Sequence, residues 1–463
     1  MGVRGKLAEI ARVLEEIVGE RWVITERAMM GGYLRDETPN AVCPSPALDL
    51  VLVKPANAKE VSKILKVANR ERVPVFPVGG RTGLSGGAVP VKPGMILSLE
   101  RMNAIEVDRD NMMAIAEAGA TLGDLTRAVG EAGFFFPLHP GDEGAQMGGL
   151  VATSAGGVRA VKHGIMRNFV KGLEVVLPTE EILTLGGCLL KNNTGYNLMH
   201  LMMGSEGTLG VITKAVIRLY PKAGITVTLI AAFERRQDAM HSVMKTLQSG
   251  ITPMAIEYID WDDIERASVH LREKWPSEGG KAQLIIILSE VNEDALFSEC
   301  EEISKICEAN HVLETLIAET KEEQERILRI RSNLYTPLKP LLHDILDITV
   351  PPGRVEALMD KVDAIAEEYG TSIPIYGHVG DGNLHGHIMK EEGRGLKFVN
   401  KVKRKIYEAT VSLGGVITGE HGIGKVKIGD ADLVLSEKEI ELIRAVKAVF
   451  DPNNIMNPGT IAG

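Results

Sequence analysis

Three of the 11 histidines fall within one short stretch, YGHVGDGNLHGHI at 376–388. If Asp381 and Gly382 form a two-residue hairpin turn, residue 380 pairs with 383, 379 with 384, and His378 stands directly opposite His385. Cross-strand partners on one face have Cβ atoms about 4.5–5.5 Å apart, a separation from which two imidazoles can share one ion. The other compact polar cluster is GGVITGEHGIGK at 414–425, where Glu420, expected at the end of an apolar strand, offers a carboxylate. Two imidazoles and one carboxylate make a divalent-ion set with positions left open for a substrate. The residues alone leave two readings open for the histidine pair, ligands of an ion or ordinary hydrogen-bonded side chains. His139, His200, His241 and His343 have no such pairing and read as lone polar residues.

Such side chains need elements to hold them. Leu50–Val53 is strand-like, Val61, Ile64, Leu65 and Ala68 have helical spacing, and Pro74–Val78 is strand-like again. GGRTGLSGGAVP at 79–90 follows, then another β-like run at Met95–Leu99 where a nucleotide-binding βαβ unit would place a helix. No complete Walker or Rossmann glycine pattern occurs, so neither of those phosphate-binding folds is expected. The 49 glycines cluster at 79–94, 141–164, 204–210, 377–386 and 414–424, marking backbone that turns sharply or admits a ligand closely. Three of these loops precede residue 211, and together they could present N–H groups to a phosphate and a flat surface to a ring. After Pro221-Lys222-Ala223-Gly224 the signals become alternating longer strands and helices: a strand at 283–288, helices near 293–309 and 321–336.

Length and composition set the outer limits. A chain of 463 residues with 44% apolar and 25% charged residues is an ordinary globular protein of two or three domains. Its formal charge of −10, with no basic patch, argues against nucleic acid as a partner. The longest plain apolar runs, such as Leu284–Leu288, are strand-sized. The N-terminus, with Leu7, Ile10, Leu14, Ile17 and Val18 among acids, reads as an amphipathic helix and not a signal peptide, which makes the cytoplasm the expected location. Cys43, Cys188, Cys300 and Cys307 contain no C-x-x-C pair and read as plain thiols.

PVGGRTGLSGG (77–87), ATSAGGVRAVKHG (152–164) and GSEGTLGVIT (204–213) resemble the FAD-contacting segments of the vanillyl-alcohol oxidase superfamily, whose flavin domain is of the p-cresol methylhydroxylase (PCMH) type. The resemblance is nearest to its D-lactate, D-2-hydroxyglutarate and glycolate dehydrogenase branch and continues to FDPNNIMNPG at 450–459. It implies an α+β protein: a two-part FAD-binding domain at 1–221, an α+β cap with an antiparallel sheet at 222–410, and a segment at 411–463 returning to the FAD domain. It implies that Pro77, Gly79, Gly80, Arg81, Thr82, Gly83, Leu84 and Gly87 wrap the FAD pyrophosphate. Pro140, Gly148, Gly149, Thr153, Ser154, Ala155, Gly156, Gly157, Arg159 and Gly164 would line the ring and ribityl side, with Glu206 and Ile212. Ser154 stands where relatives usually carry Asn. The resemblance also makes His378, His385 and Glu420 ligands of one divalent ion (zinc, iron or manganese) and His421 the catalytic acid/base.

A 2-hydroxy acid must lose a hydroxyl proton while its C2 hydrogen leaves as hydride, which calls for a base, a charge near the oxygen and an electron sink. Its carboxylate also suits an Arg. Arg331, with Ile327 at i−4 and Leu334 at i+3, is directed toward packed structure; on the residues alone an outward salt bridge is the more ordinary reading. The segment resembles the W-x-x-R stretch whose Arg grips the substrate carboxylate, although Leu328 replaces the Trp. Similar enzymes for five-carbon dicarboxylates carry Lys two residues before the Asp of a strand resembling LDITVP, and Ile345 occupies that place here. The expectation is therefore oxidation of D-lactate or glycolate, with electrons passed to an electron-transfer flavoprotein, an iron–sulfur subunit or a membrane quinone. Location at a membrane periphery and a homodimer are compatible with this. The competing expectations are a flavin subunit that only relays electrons, a 2-hydroxyglutarate dehydrogenase, an ether-lipid enzyme of the same fold and a plain metallohydrolase.

Overall fold

The computed structural model describes residues 3–222, 224–318 and 320–461. Ala223, part of the expected boundary, and the first two residues of the expected N-terminal helix lie outside them. The strand–helix–strand pattern of the N-terminal region is present as Leu50–Val53, Ala58–Glu71 and Val75–Val78. Asn57 caps the helix, its side chain accepting the Glu60 N–H. These strands and Gly94–Ser98 form a parallel set, flanked by the antiparallel strand Val23–Ile24. Helix Val3–Val18 buries Leu7, Ile10, Leu14 and Val18, the stripe expected from its periodicity. A second, antiparallel sheet of five strands runs Ile105–Asp108, Met113–Glu117, Val211–Arg218, Val170–Val176, Ile182–Gly186.

Beyond residue 224 the chain builds a seven-stranded sheet ordered Glu314–Ala318, Ile225–Phe233, Ala282–Glu290, Ala255–Asp260, Ile375–His378, Asn383–Met389, Leu342–Thr349. Every pairing in it is antiparallel. The period of two along each strand divides its side chains between two cores. Leu229, Ala231, Leu284, Ile286, Leu346 and Ile348 pack on one face with helix residues Leu358, Met359, Val362, Val402 and Ile406. Ile230, Ala255, Ile259, Ile285, Ile287 and Tyr376 pack on the other with Ile264, Ile327, Ile330 and Leu334. Glu257, Ile345, Asp347, His378, His385 and His387 have the parity of this second face.

The C-terminal stretch returns to the first region. Val75 pairs with Met456 in a parallel bridge, and the Lys447 ammonium donates to the Thr208 and Met456 carbonyls while pairing with Asp451. Asn457 donates to the Glu206 and Gly87 carbonyls. Among the described residues, no helix is long and apolar enough to cross a membrane.

Two expectations about the histidine turn need correction. His378 pairs with Asn383 and His385 with Tyr376, so Val379, Gly380, Asp381 and Gly382 all lie in the turn, closed by Asp381 and Gly382 N–H groups donating to the His378 carbonyl. His378 and His385 are therefore diagonal and not opposite, but a shift by two keeps them on one face, with ring centroids 5.3 Å apart. Glu420 is in no strand. Its segment is tied to Leu342–Thr349 only by isolated bridges, Thr349 with Val416 and Asp347 with Thr418, because it bends away to follow the Asp347 carboxylate.

The widened turn depends on Gly382, whose φ is +86° and where an added Cβ would stand 1.9 Å from the Val350 carbonyl oxygen. Gly393 has φ +76° but open space. In urea unfolding, Gly393→Ala should lose about 1 kcal/mol and Gly382→Ala distinctly more. Equal losses would mean the overlap is relieved at no cost.

Candidate active site

Glycine loops from three parts of the chain line a single cleft. Pro77, Gly79, Gly80, Arg81, Thr82, Gly83, Leu84 and Gly87 form one part of its wall, Pro140, Gly148, Gly149, Thr153, Ala155 and Gly156 another, and Glu206 and Ile212 a third. Ser154, Gly157, Arg159 and Gly164 do not line it. Ser154 is the left-handed cap (φ +53°) of helix Met147–Thr153, a position that favours Asn or Gly, and its hydroxyl accepts from Arg167 Nε at 2.9 Å. Gly157 packs on the His139 carbonyl, Gly164 ends helix Ala160–His163, and Arg159 lies over the Phe135 ring. Two buried oxygens of the lining, Asp36 Oδ2 and Gln146 Oε1, have no hydrogen-bond partner, as in a site shaped for a ligand that brings its own donors. The residues present fit a dinucleotide with hydroxyl and amino groups.

Glu420 and His421 line the same cleft, and this joins the two halves of the site. Behind the cleft wall, Glu420 Oε1 lies 3.4 Å from His385 Nε2 and 3.7 Å from His378 Nε2. Ligand atoms about 2.0–2.1 Å from one tetrahedral ion stand roughly 3.4 Å from each other, so this donor set fits a shared divalent ion. Gly156 is needed here, since a Cβ on it would meet Glu420 Oε2 at 2.6 Å. The His421 ring stacks parallel on His385, centroids 5.2 Å apart and tilted by 6°.

Asp347 was only a landmark in the sequence, yet it organises this loop. Its Oδ2 accepts the backbone N–H groups of Gly419, Glu420 and His421 and the Thr418 hydroxyl, while Oδ1 accepts from the Asn383 amide. The same carboxylate lies 4.0 Å from His385 Nδ1 and 3.9 Å from His421 Nδ1, with the Lys427 ammonium 3.6 Å behind. Burial opposes its charge, but His421, Lys427 and these donors hold its pKa well below the usual carboxylate range.

Arg331 does form a salt bridge, though an inward one. Its Nε and Nη2 donate to Oε2 of Glu257 at 2.7 and 2.5 Å, and Glu257 Oε1 takes a hydrogen bond from His378 Nδ1 at 2.6 Å. Sequence reasoning missed Glu257; an acid flanked by Ile256 and Tyr258 in the middle of the strand AIEYID was the available signal. His139, read as an isolated polar residue, sits close enough to Arg159, Arg331, Glu257 and His378 to feel their charge. His387 stacks on Tyr376 at 4.8 Å, and Ile345 is buried, 6% exposed, on the neighbouring strand.

Residues 50–186 match a family model described as an FAD binding domain, and residues 225–461 match the C-terminal domain of FAD linked oxidases. The chain belongs to the FAD-linked oxidases. It is 44% identical to a D-lactate dehydrogenase of Archaeoglobus fulgidus, covering 93% of this chain and 95% of that one. It is 34% identical to glycolate oxidase subunit GlcD of Bacillus subtilis over 88% of each. The 4-ethylphenol oxidase from Gulosibacter chungangensis shares the fold, with a TM-score of 0.78 at 17% identity, covering 99% of this chain and 97% of that one. In this FAD-linked oxidase the first two loops of the cleft wall, from Pro77 to Gly156, fall inside the FAD binding domain match.

Burial decides most imidazole protonation states here. It pushes His139, His163 and His387 down to about 4 and His385 to about 3. For His378 burial acts the same way, but Glu257 overcomes it and raises the pKa to about 10. Unfolded imidazoles titrate near 6.5, so the four lowered rings contribute stability above that pH which is lost as pH falls toward 4, whereas His378 contributes stability below 6.5 that is lost toward pH 10. With His421 lowered as well, these rings outweigh His378 and the buried carboxyls of Asp381 and Asp263, raised to about 7 and about 6 and stabilised as they protonate, so the urea midpoint of the metal-free protein should fall between about pH 7.5 and about pH 5. An unchanged midpoint would show the rings to be solvated.

Proposed function

We propose that this FAD-linked oxidase oxidises a small D-2-hydroxy acid, D-lactate or glycolate, to the 2-oxo acid at a site assisted by a divalent ion. The observation that carries the reading is that two adjacent residues, Glu420 and His421, line the flavin cleft while the Glu420 carboxylate faces both His378 and His385. FAD supplies the two-electron acceptor for the substrate hydride. A zinc, iron or manganese ion held by His378, His385 and Glu420 would supply positive charge for the hydroxyl and carboxylate oxygens.

His421 Nε2 accepts the hydroxyl proton, and the imidazolium that results is balanced by Asp347, 3.9 Å from Nδ1. Stacking on His385 and the backbone bond to Asp347 keep that ring in place. Arg331 holds the substrate carboxylate through the donors that Glu257 leaves free. Ile345 offers no cation for a second carboxylate, which supports a monocarboxylate, and the name of the Archaeoglobus relative supports lactate. Electrons then pass to a separate acceptor protein, an electron-transfer flavoprotein or an iron–sulfur subunit, since four scattered cysteines give no cluster-ligand set.

Anaerobic mixing with D-lactate or glycolate should bleach the flavin band, with L-lactate and D-2-hydroxyglutarate slower by about tenfold or more, and chelation should abolish the bleaching. His421→Ala should keep the yellow colour and the metal but slow bleaching by about 10²–10⁴-fold. Fast bleaching by this variant would remove His421 as the base, and equal rates with both lactate enantiomers would remove the proposed substrate pose.

A further inference from the structure

Glu257 is 2% exposed and lies at the middle of the seven-stranded sheet, between Ala255 and Ile259 of its own strand. A carboxylate in that setting is costly unless both of its oxygens are matched. Here one oxygen serves His378 and the other serves Arg331. Each contact fixes something in its partner. Because Glu257 holds the proton on His378 Nδ1, Nε2 is the nitrogen left to give up its proton and ligate an ion, and it is directed to the side where Glu420 Oε1 lies at 3.7 Å. Because Arg331 commits its Nε–H and one Nη2–H to Glu257, the two Nη1 donors and the second Nη2–H remain on its outer edge, and the guanidinium is held 5.7 Å over the Tyr376 ring. The ion pair is enclosed, Arg331 being 14% and Glu257 2% exposed at the side chain, so neither group can turn to water instead.

We propose that Glu257 is a positioning residue shared by the two binding functions of the site: a rigid strand-mounted anion that sets the ligand tautomer of His378 and the direction of Arg331 at once. It thereby fixes the distance between the ion and the carboxylate grip, and so the size of the acid that bridges them. This inference rests on the metal-assisted reading above. It adds that Arg331 contributes direction more than net charge, since its charge is matched before a substrate arrives.

The test is a titration of the metal-free, FAD-loaded protein with Zn²⁺ and with Mn²⁺, alongside steady-state kinetics with an artificial dye. Glu257→Gln should retain full FAD content, weaken metal binding by about 10–100-fold, and raise KM for D-lactate while leaving KM for the dye unchanged. That variant strands the buried Arg331 cation and could fail to fold. Glu257→Gln combined with Arg331→Met removes both charges, and it should still bind metal about 10–100-fold more weakly than wild type, because the anion behind His378 is gone. Wild-type metal affinity in either variant overturns the proposal, since a role limited to packing would be restored when the stranded cation is removed. A wild-type protein that takes up no divalent ion overturns the metal reading itself, which separates the two failures.

Discussion

One buried carboxylate holds the arrangement together. Asp347, fully enclosed at the end of a sheet strand, accepts three consecutive backbone N–H groups from Gly419 to His421 and a hydroxyl from Thr418. Backbone donors that converge on one oxygen force the chain into a tight bend, and the bend is what aims Glu420 toward the histidines and exposes His421 to the cleft. The loop has only isolated bridges to the sheet. Without the anion its orphaned N–H groups would have to find water in a place that holds little. Glu206 does the equivalent for the next turn, its two oxygens accepting the Ile423 and Gly424 N–H groups, and so ties the third glycine loop to the same segment.

The chemistry follows from where negative charge has been buried. Asp347 backs His385 and His421, Glu257 backs His378, and each anion has its own cation, Lys427 or Arg331. The imidazoles thus face forward with their Nε2 atoms toward Glu420 and carry their second nitrogen toward a carboxylate. A carboxylate behind the second nitrogen is what orients an imidazole ligand and stabilises a base that takes up a proton. Glu257 lifts His378 to about 10, whereas His385 and His421, beside Asp347, stay lowered by burial.

Much of this was legible because strands alternate and glycines punctuate. The stripe Leu7, Ile10, Leu14, Val18 and the run Leu50 to Val78 read directly into helix and strands, and the three glycine-rich loops do converge on one cleft. Parity also survived an error: the turn after His378 is wider than a two-residue hairpin, but a register change of two leaves His385 on the same face. What could not be read was long-range matching of charge. Glu257 and Arg331 are 74 positions apart, and the apolar neighbours of Glu257 signal its burial but not the partner that matches its charge. Glu420 was assigned to a strand because Val416 and Ile417 are apolar, whereas tertiary hydrogen bonds to Asp347 override that preference.

The central claim is spatial, that an ion held by a hairpin and a bent loop stands beside the reactive face of the flavin. Anomalous diffraction from crystals of the FAD-loaded protein, collected on either side of the zinc, iron and manganese edges, measures it directly. The account predicts a peak about 2.0–2.2 Å from His378 Nε2, His385 Nε2 and a Glu420 oxygen, with the flavin N5 near enough for one lactate to touch both. Crystals of protein competent in turnover that show no peak there, or one separated from the flavin by the width of the loop, would contradict it.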